Sequence, residues 1–521
     1  MVMYYMFLRI YRHCTGRPMM RSFESGLLES GQIDIAKIQL DHKSRDDIPQ
    51  ILKGLQYIYV NLPLREKLFS MLEKHIAPEV SKKTGRPGLE LWKILVLGVL
   101  RLDLNCDFDR LQELANNHRT IRLMLGHEIM DSFYYHMQTL KDNIGLLTPE
   151  LLEQINKFIV ETGHVLVKKK ESEALLGRCD SFVVQTNVHY PTDINLLFDA
   201  MRKTIILTER LCVKYEISGW RQSGYTIRLI KRHMRRAQKS KRARGKTEMQ
   251  REKNKKKVEA THKEYIEIAQ LYLNRVLKTL ETLKESGIKN TIDMVLIENI
   301  DEFVTHAKRQ IEQIDRRVLH HETIPHSEKV FSIFEPHTEW ISKGKAGVPV
   351  ELGLRVCILE DQYQFILHHK VMEKQTDDQI AIEIIKEAQK QFPDLKASSF
   401  DKGFHSPRNQ EVLSELLDSV TLPRKGRLSR EAFELENSEG FRKARRKHPA
   451  VESAINALEV HGLDRCPDRG LNGFKRYIAL AIVSRNIQRI GAIIQQQEQK
   501  QAARKKQKYL QLQNKIDKIA A

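Results

Sequence analysis

Six cysteines are spread through 521 residues, and no two of them form a C-x-x-C pair. Cys14, Cys106, Cys179, Cys212, Cys357 and Cys466 therefore read as isolated reduced thiols, which argues against a zinc knuckle and against a disulfide framework. Long apolar runs are also missing. The strongest, LWKILVLGVL at 91–100, falls short of the ~18 residues that a membrane-spanning helix needs and reads as a buried helix. The opening MVMYYMFLRIYRHC has no long apolar region, so no secretory signal is expected there. With Met19 and Met20 following, it reads as an upstream extension of the reading frame. Acidic residues are in deficit: 67 Asp and Glu face 87 Lys and Arg, a net charge of +20 with a pI near 9.5. Such a surplus points to a polyanionic partner.

The surplus is concentrated. Residues 228–257 hold fifteen Lys and Arg against Glu248 and Glu252, which is +13 of the +20. Arg235, Arg236, Lys241 and Arg242 lie in this run and are candidates for tracking a phosphate backbone without reading bases. Aromatics are scarce there, so a stacking platform for single strands is not expected.

The length implies two or three domains. Residues 1–60 read as an N-terminal extension that is partly dispensable. Helical patterns fill 61–165: GRPGLELWKILVLGVLRLD, then DFDRLQELANNH with Asp107 as N-cap, then TIRLMLGH with Thr120 in that role. TPELLEQINKFIVETG follows, with Thr148 as cap and Pro149 at the first helical position. Short helices carrying Arg110, Arg119 and Arg122 suit a helix-turn-helix-like DNA-binding unit, and equally a small bundle with surface arginines.

At 174 the character changes. ALLGRCDSFVVQTNVHYP is rich in strand formers. Helical periodicity then returns over 194–347, the basic insertion, where two amphipathic helices read as a hairpin. VPVELGLRVCILE and QFILHHKVM form a strand hairpin. A helix, the strand ASSFD, a helix from Pro407, the strand SVTLP and one long helix through RKARRKHPAVESAINALEVHG follow. Without the insertion the order is β, β, β, α, β, α, β, α. That is the order of an α/β, ribonuclease H-like mixed-sheet core at 174–193 and 348–465, interrupted after its first strand. Residues 466–521 read as an apolar helix and a Gln/Lys-rich tail.

In that arrangement Asp180 ends the first strand, Asp401 ends the fourth, and Glu452 sits early in the last core helix. Three carboxylates on one edge repel unless cations intervene. Mg²⁺ prefers oxygen ligands and takes one or two carboxylates with water and phosphate oxygens. Two such ions, for which Mn²⁺ would substitute, fit the displacement at a phosphodiester. Asp193 competes with Asp180 and Glu459 with Glu452. Beside Asp401, Lys402 and His405 are candidates for touching the phosphate, and Gly403 leaves room for backbone and nucleic acid to approach.

The segments RCDSFVVQTNVHYPTDINLL, FEPHTEWISKGKAGVPVELGLRV, SFDKGFHSP and RKHPAVESAINALEVHGLDRCPDRGLNGFKRYIALAIVSRNIQRIG, in this order over roughly 85–495, resemble bacterial insertion-sequence transposases of the DDE type, in the IS5-like and ISNCY-type group. The resemblance implies that Asp180, Asp401 and Glu452 are the catalytic, metal-holding triad, separated by 221 and 51 residues. It also implies terminal inverted repeats and target DNA as partners, a dimer or higher assembly on DNA, and a cytoplasmic, nucleoid-associated location. Relatives carry an arginine four residues before the glutamate and a basic residue seven after it. Here those positions are His448 and Glu459, with Arg445, Arg446 and Lys447 close by. A nuclease without strand transfer and a repurposed DNA-binding protein are the rival expectations.

Overall fold

The computed structural model describes residues 19–20, 34–41, 43–76, 86–128, 131–243, 245–286, 288, 290–342 and 349–520. Residues 1–18, 21–33 and 42 of the segment read as an N-terminal extension lie outside the described residues. The chain is mixed α/β and mostly helical. It divides into two compact units, one of them Val188–Leu352 and the other built from the chain on either side. Each has its own apolar core.

The flanking unit opens with α1 (Asp47–Val60), α2 (Leu62–Ile76), α3 (Leu91–Asp103), α4 (Phe108–Asn117), α5 (Arg119–Met124), α6 (Met137–Ile144) and α7 (Pro149–Leu166). Asp107 and Thr148 cap α4 and α7 by accepting from the backbone N–H groups of Arg110 and Leu151. The cap of α5 is His118, whose Nδ1 accepts from Ile121 N at 3.3 Å, and not Thr120. The α4–α5 connection is so tight that His118 is C-cap to one helix and N-cap to the next. Strand β1 (Leu175–Thr186) follows.

The next unit holds α8 (Asp193–Lys214), α9 (Ser223–Lys241), α10 (Glu248–Glu285) and α11 (Thr291–Ile314). The hairpin read from the sequence is half of a four-helix arrangement, in which α8 packs on α11 and α9 on α10. Its core includes Met201, Ile205, Tyr265, Ala269, Val276 and Ile300.

The chain then returns to the first unit with β2 (Val350–Glu360), β3 (Ile366–Met372), α12 (Asp377–Gln391), β4 (Leu395–Phe400), α13 (Pro407–Leu416), β5 (Ser419–Thr421), α14 (Arg430–Asn437), α15 (Glu439–Lys447), α16 (Ala450–Leu458), β6 (Arg465–Cys466) and α17 (Gly470–Ala520). In the seven-stranded mixed sheet, β3 and the short strand Glu339–Ser342 both neighbour β2, the order then runs β2–β1–β4–β5, and β6 lies against the end of β1. β2 is antiparallel to β1 and to β3, while β1, β4 and β5 run parallel. The single long helix expected through RKARRKHPAVESAINALEVHG is two helices. Pro449 lacks an N–H and crowds the preceding turn, so α15 stops at Lys447 and α16 starts at Ala450.

Helix α17 is the axis of this unit and packs on α1, α3 and α7. A Cβ on Gly54 would lie 2.2 Å from the Ile487 carbonyl oxygen, and one on Gly491 would lie 2.0 Å from that of Gln50. The α1–α17 crossing therefore brings the two backbones into contact, and α1, inside the segment read as an extension, buries Ile51, Leu52, Leu55 and Ile58. By length and composition α17 could cross a membrane, but 83% of its most apolar window is packed inside the protein. That is the apolarity of a core helix.

Asn486, within the SRNIQRIG stretch of α17, is fully buried. Its side chain accepts from Ile366 N at 2.9 Å and donates to Ile366 O at 2.9 Å, and donates to Asn156 Oδ1 at 2.7 Å. The start of β3 is thereby satisfied by α17 where, among the described residues, no further strand pairs with it. The five described cysteines, Cys106, Cys179, Cys212, Cys357 and Cys466, are buried free thiols.

Candidate active site

Strands β1 and β4 are parallel neighbours, with Cys179 opposite Phe400 in register. One residue further along each, Asp180 and Asp401 stand beside each other; Asp180 lies in the middle of β1 and not at its end as expected, because the strand continues through Thr186 against β2. Asp401 is the first residue past β4. It is extended (φ −76°, ψ 162°), it precedes the 3₁₀ turn Lys402–Phe404, and its carboxylate caps nothing. It is exposed, so its oxygens face solvent at the sheet edge. Glu452 arrives from a third direction, exposed in the first turn of α16, which packs on β1.

A fourth carboxylate was missed in the sequence. Asp377 is the first residue of α12, and its Oδ1 accepts from Ser181 Oγ at 2.6 Å. A Cβ on Gly403 would come within 2.9 Å of Asp377 Oδ2. The missing side chain at 403 thus makes room for this carboxylate, whereas the sequence pattern had suggested space for nucleic acid. In the sequence Asp377 sits in QTDDQ, where a Thr376–Gln379 capping box accounts for the acidic start of a helix. The one available signal is Ser181, the last residue of RCDS and 196 residues away.

The Asp180 carboxyl is pushed up to about 6, first by burial and then by Asp401, Asp377 and Glu452; the N–H of Ser181, which donates to Asp180 Oδ1 at 2.8 Å, opposes the shift. His448, the C-cap of α15, shares a hydrogen bond with Ser399 Oγ at 3.0 Å. Burial pushes its imidazole below the usual range and Arg178 adds to this, while Asp401 and Glu452 oppose it. His448 therefore lies near two of the carboxylates.

The two alternative acids stand elsewhere. Asp193 is the first residue of α8, with Thr192 as the cap, and it pairs with Arg317 at 2.7 Å. Glu459 lies seven residues beyond Glu452, about 10 Å along a helix. It opens a π-turn, Glu459–Leu463, in which Gly462 has φ +104°. The carboxylates that act on Asp180 are Asp401, Asp377 and Glu452.

Among the basic candidates, Lys402 is exposed next to Asp401. His405 is half-buried; burial and then Arg424 and Lys425 lower its pKa, with Glu436 opposing. Arg445 lies 3.7 Å from Glu436, and Arg446 and Lys447 are exposed in the last turn of α15. Arg235, Arg236, Lys241 and Arg242 are exposed on α9 and at its end, in the helical unit.

Among the described residues, no three His, Cys, Asp or Glu side chains converge closely enough to cage a metal ion. The donors nonetheless fit Mg²⁺: all are hard carboxylate oxygens, and that ion takes only one or two carboxylates and completes its shell with water and phosphate. The carboxyl of Asp180 is raised first by burial and then by the neighbouring carboxylates. No family model matches the chain, and no curated protein or solved structure is significantly similar to it.

Proposed function

We propose that this chain is a DDE-type transposase built on a ribonuclease H-like core. The observation that carries the reading is the convergence of Asp180 and Asp401, from adjacent parallel strands, with Glu452 from α16. The strand order, with β2 antiparallel to β1 and β3 while β1, β4 and β5 run parallel, supports this reading. The motifs around the three acids support the same reading.

Asp180, Asp401 and Glu452 would hold two Mg²⁺ ions, with Mn²⁺ able to substitute. When bound, these supply activation of water and neutralisation of charge at the scissile phosphate. Asp377, fixed by Ser181, adds negative charge behind them. Water adds to phosphorus at each end of a DNA element and the bond to the 3′ oxygen breaks, leaving a 3′-hydroxyl. That hydroxyl attacks a phosphodiester of target DNA. One P–O bond forms for each that breaks and the proton passes to solvent, so no external energy source is needed. The helices of 61–165 would hold the element ends, the basic helical unit would track phosphates, and at least two chains would act together.

His448 and Glu459, in place of basic residues, favour a second reading: a DNA-binding protein descended from such an enzyme. The two are separated by incubating purified protein with a supercoiled plasmid that carries the DNA flanking the gene. The proposal expects cleavage at the element ends in Mg²⁺ and binding without cleavage in Ca²⁺. Binding without cleavage in Mg²⁺ and Mn²⁺ alike would assign the second reading.

A further inference from the structure

The turn that follows β5 is a one-sided charged surface tied to the carboxylate edge. PRKGR, 423–427, carries Arg424, Lys425 and Arg427 with no acid, and all three are exposed. The turn is built, and its position is set by three features. Gly426 has φ +84° with open space around it, a conformation costly for any residue with a Cβ. Lys425 Nζ donates to the carbonyl of Gly403 at 2.8 Å, which ties the turn to the residue two beyond Asp401. The backbone N–H of Arg424 donates to Glu436 Oε1 at 2.9 Å.

Two acids of the following helix are already engaged. Glu436 holds that N–H and lies 3.7 Å from Arg445, and Glu434 pairs with Arg430 at 3.3 Å. The guanidinium groups of Arg424 and Arg427 make no hydrogen bond or ion pair among the described residues. Planar, unpaired guanidinium groups match the oxygens of a phosphodiester, which they can grip in bidentate fashion.

We propose that Arg424, Lys425 and Arg427 form a phosphate clamp that holds a polynucleotide backbone against the Asp180–Asp401 edge. This rests on the proposed function and names a positioning element for it. Lys425 couples clamp and site through the Gly403 carbonyl: a strand gripped at the turn runs past Lys402 and His405 towards Asp401. The clamp reads no bases, because it presents only backbone-directed cations. It is also distinct from the basic segment 228–257, which belongs to the other unit.

The test is chemical footprinting of the full chain with Ca²⁺ in place of Mg²⁺. Lysines are acetylated and arginines modified with phenylglyoxal, with and without a duplex made from the DNA flanking the gene, and modified sites are mapped by mass spectrometry. The clamp predicts that the duplex protects Arg424, Lys425 and Arg427 several-fold. The double variant R424Q/R427Q, which keeps the Lys425–Gly403 tie, should melt like the wild type. Its slope of log K against log salt should be shallower by about 0.9 for each phosphate it no longer neutralises, and it should cleave with raised KM. Protection of 228–257 with unchanged modification at 424–427 would overturn the clamp and leave the proposed function standing. Absence of duplex binding anywhere on the chain would overturn both.

Discussion

Ser181 Oγ donates to Asp377 Oδ1 at 2.6 Å, and through this contact the first residue of α12 joins the carboxylates around Asp180. The group has four acids, one from the middle of β1, one just past the end of its parallel neighbour β4, and two from the first turns of helices. Asp377 is its least apparent member, because its partner residue lies on another element.

The Asp377→Asn variant retains the hydrogen bond and loses the charge. Divalent-ion affinity, read as the Mg²⁺ concentration that raises the melting temperature, should weaken about tenfold, the size expected for a residue that supports metal ligands. An unchanged midpoint would mean that Asp377 only packs.

Asp180 is half-buried among like charges, so the apoprotein carries an internal repulsion. Asp180→Asn should melt higher than the wild type in EDTA at neutral pH. Mg²⁺ should raise the wild-type melting temperature and leave the variant's unmoved, because the ion stabilises only the state that binds it. A lower melting temperature for the variant in EDTA would contradict the electrostatic account.

Glu360 supplies a pH test away from the site. Its carboxyl is buried and pushed up to about 7, first by burial, with Asp361 adding to the shift and Arg178, Arg485 and Arg489 opposing it. A folded-state value above the usual carboxylate range means that the fold favours the protonated form. The stability it contributes is present below about pH 4 and is lost as pH rises through 7. Glu360→Gln should therefore stabilise by about 2 kcal/mol near pH 8, with the gain vanishing near pH 4. Urea melts at the two pH values check it.

Asn486→Ala removes the partner of Ile366 N at the start of β3 and leaves that N–H buried without a partner. A loss of about 2–3 kcal/mol is expected, seen as a lower urea midpoint at unchanged m-value. If the midpoint stays put, water has replaced the amide.

The legibility of this chain follows how locally each feature is encoded. Strand and helix order could be read because LLGRCDSFVVQT, VELGLRVCILE and LKASSF each carry their own strand signal. Asp401 was visible because a strand, an acid and a glycine occur in close succession. Asp377 was not, since QTDDQ reads as a capping box and Ser181 lies 196 residues away. The α1–α17 crossing was hidden for the same reason: Gly54 and Gly491 have meaning only as a pair. His118 displaced Thr120 as a cap because any side-chain acceptor at the right backbone geometry suffices, and pattern favours hydroxyls and carboxylates. Pro449 was a local signal for the break between α15 and α16, and the apolar periodicity on either side masked it.

The most direct measurement is strand transfer between two plasmids, a donor carrying the flanking DNA and an unrelated target. Purified wild-type protein is compared in Mg²⁺ with the Asp180→Asn, Asp401→Asn and Glu452→Gln variants. The account predicts joined donor–target molecules with the wild type and none with any of the three variants, all of which still bind the donor ends. Joined product that survives loss of any one of these carboxylates, or wild-type protein that binds the ends and never joins them, would contradict it.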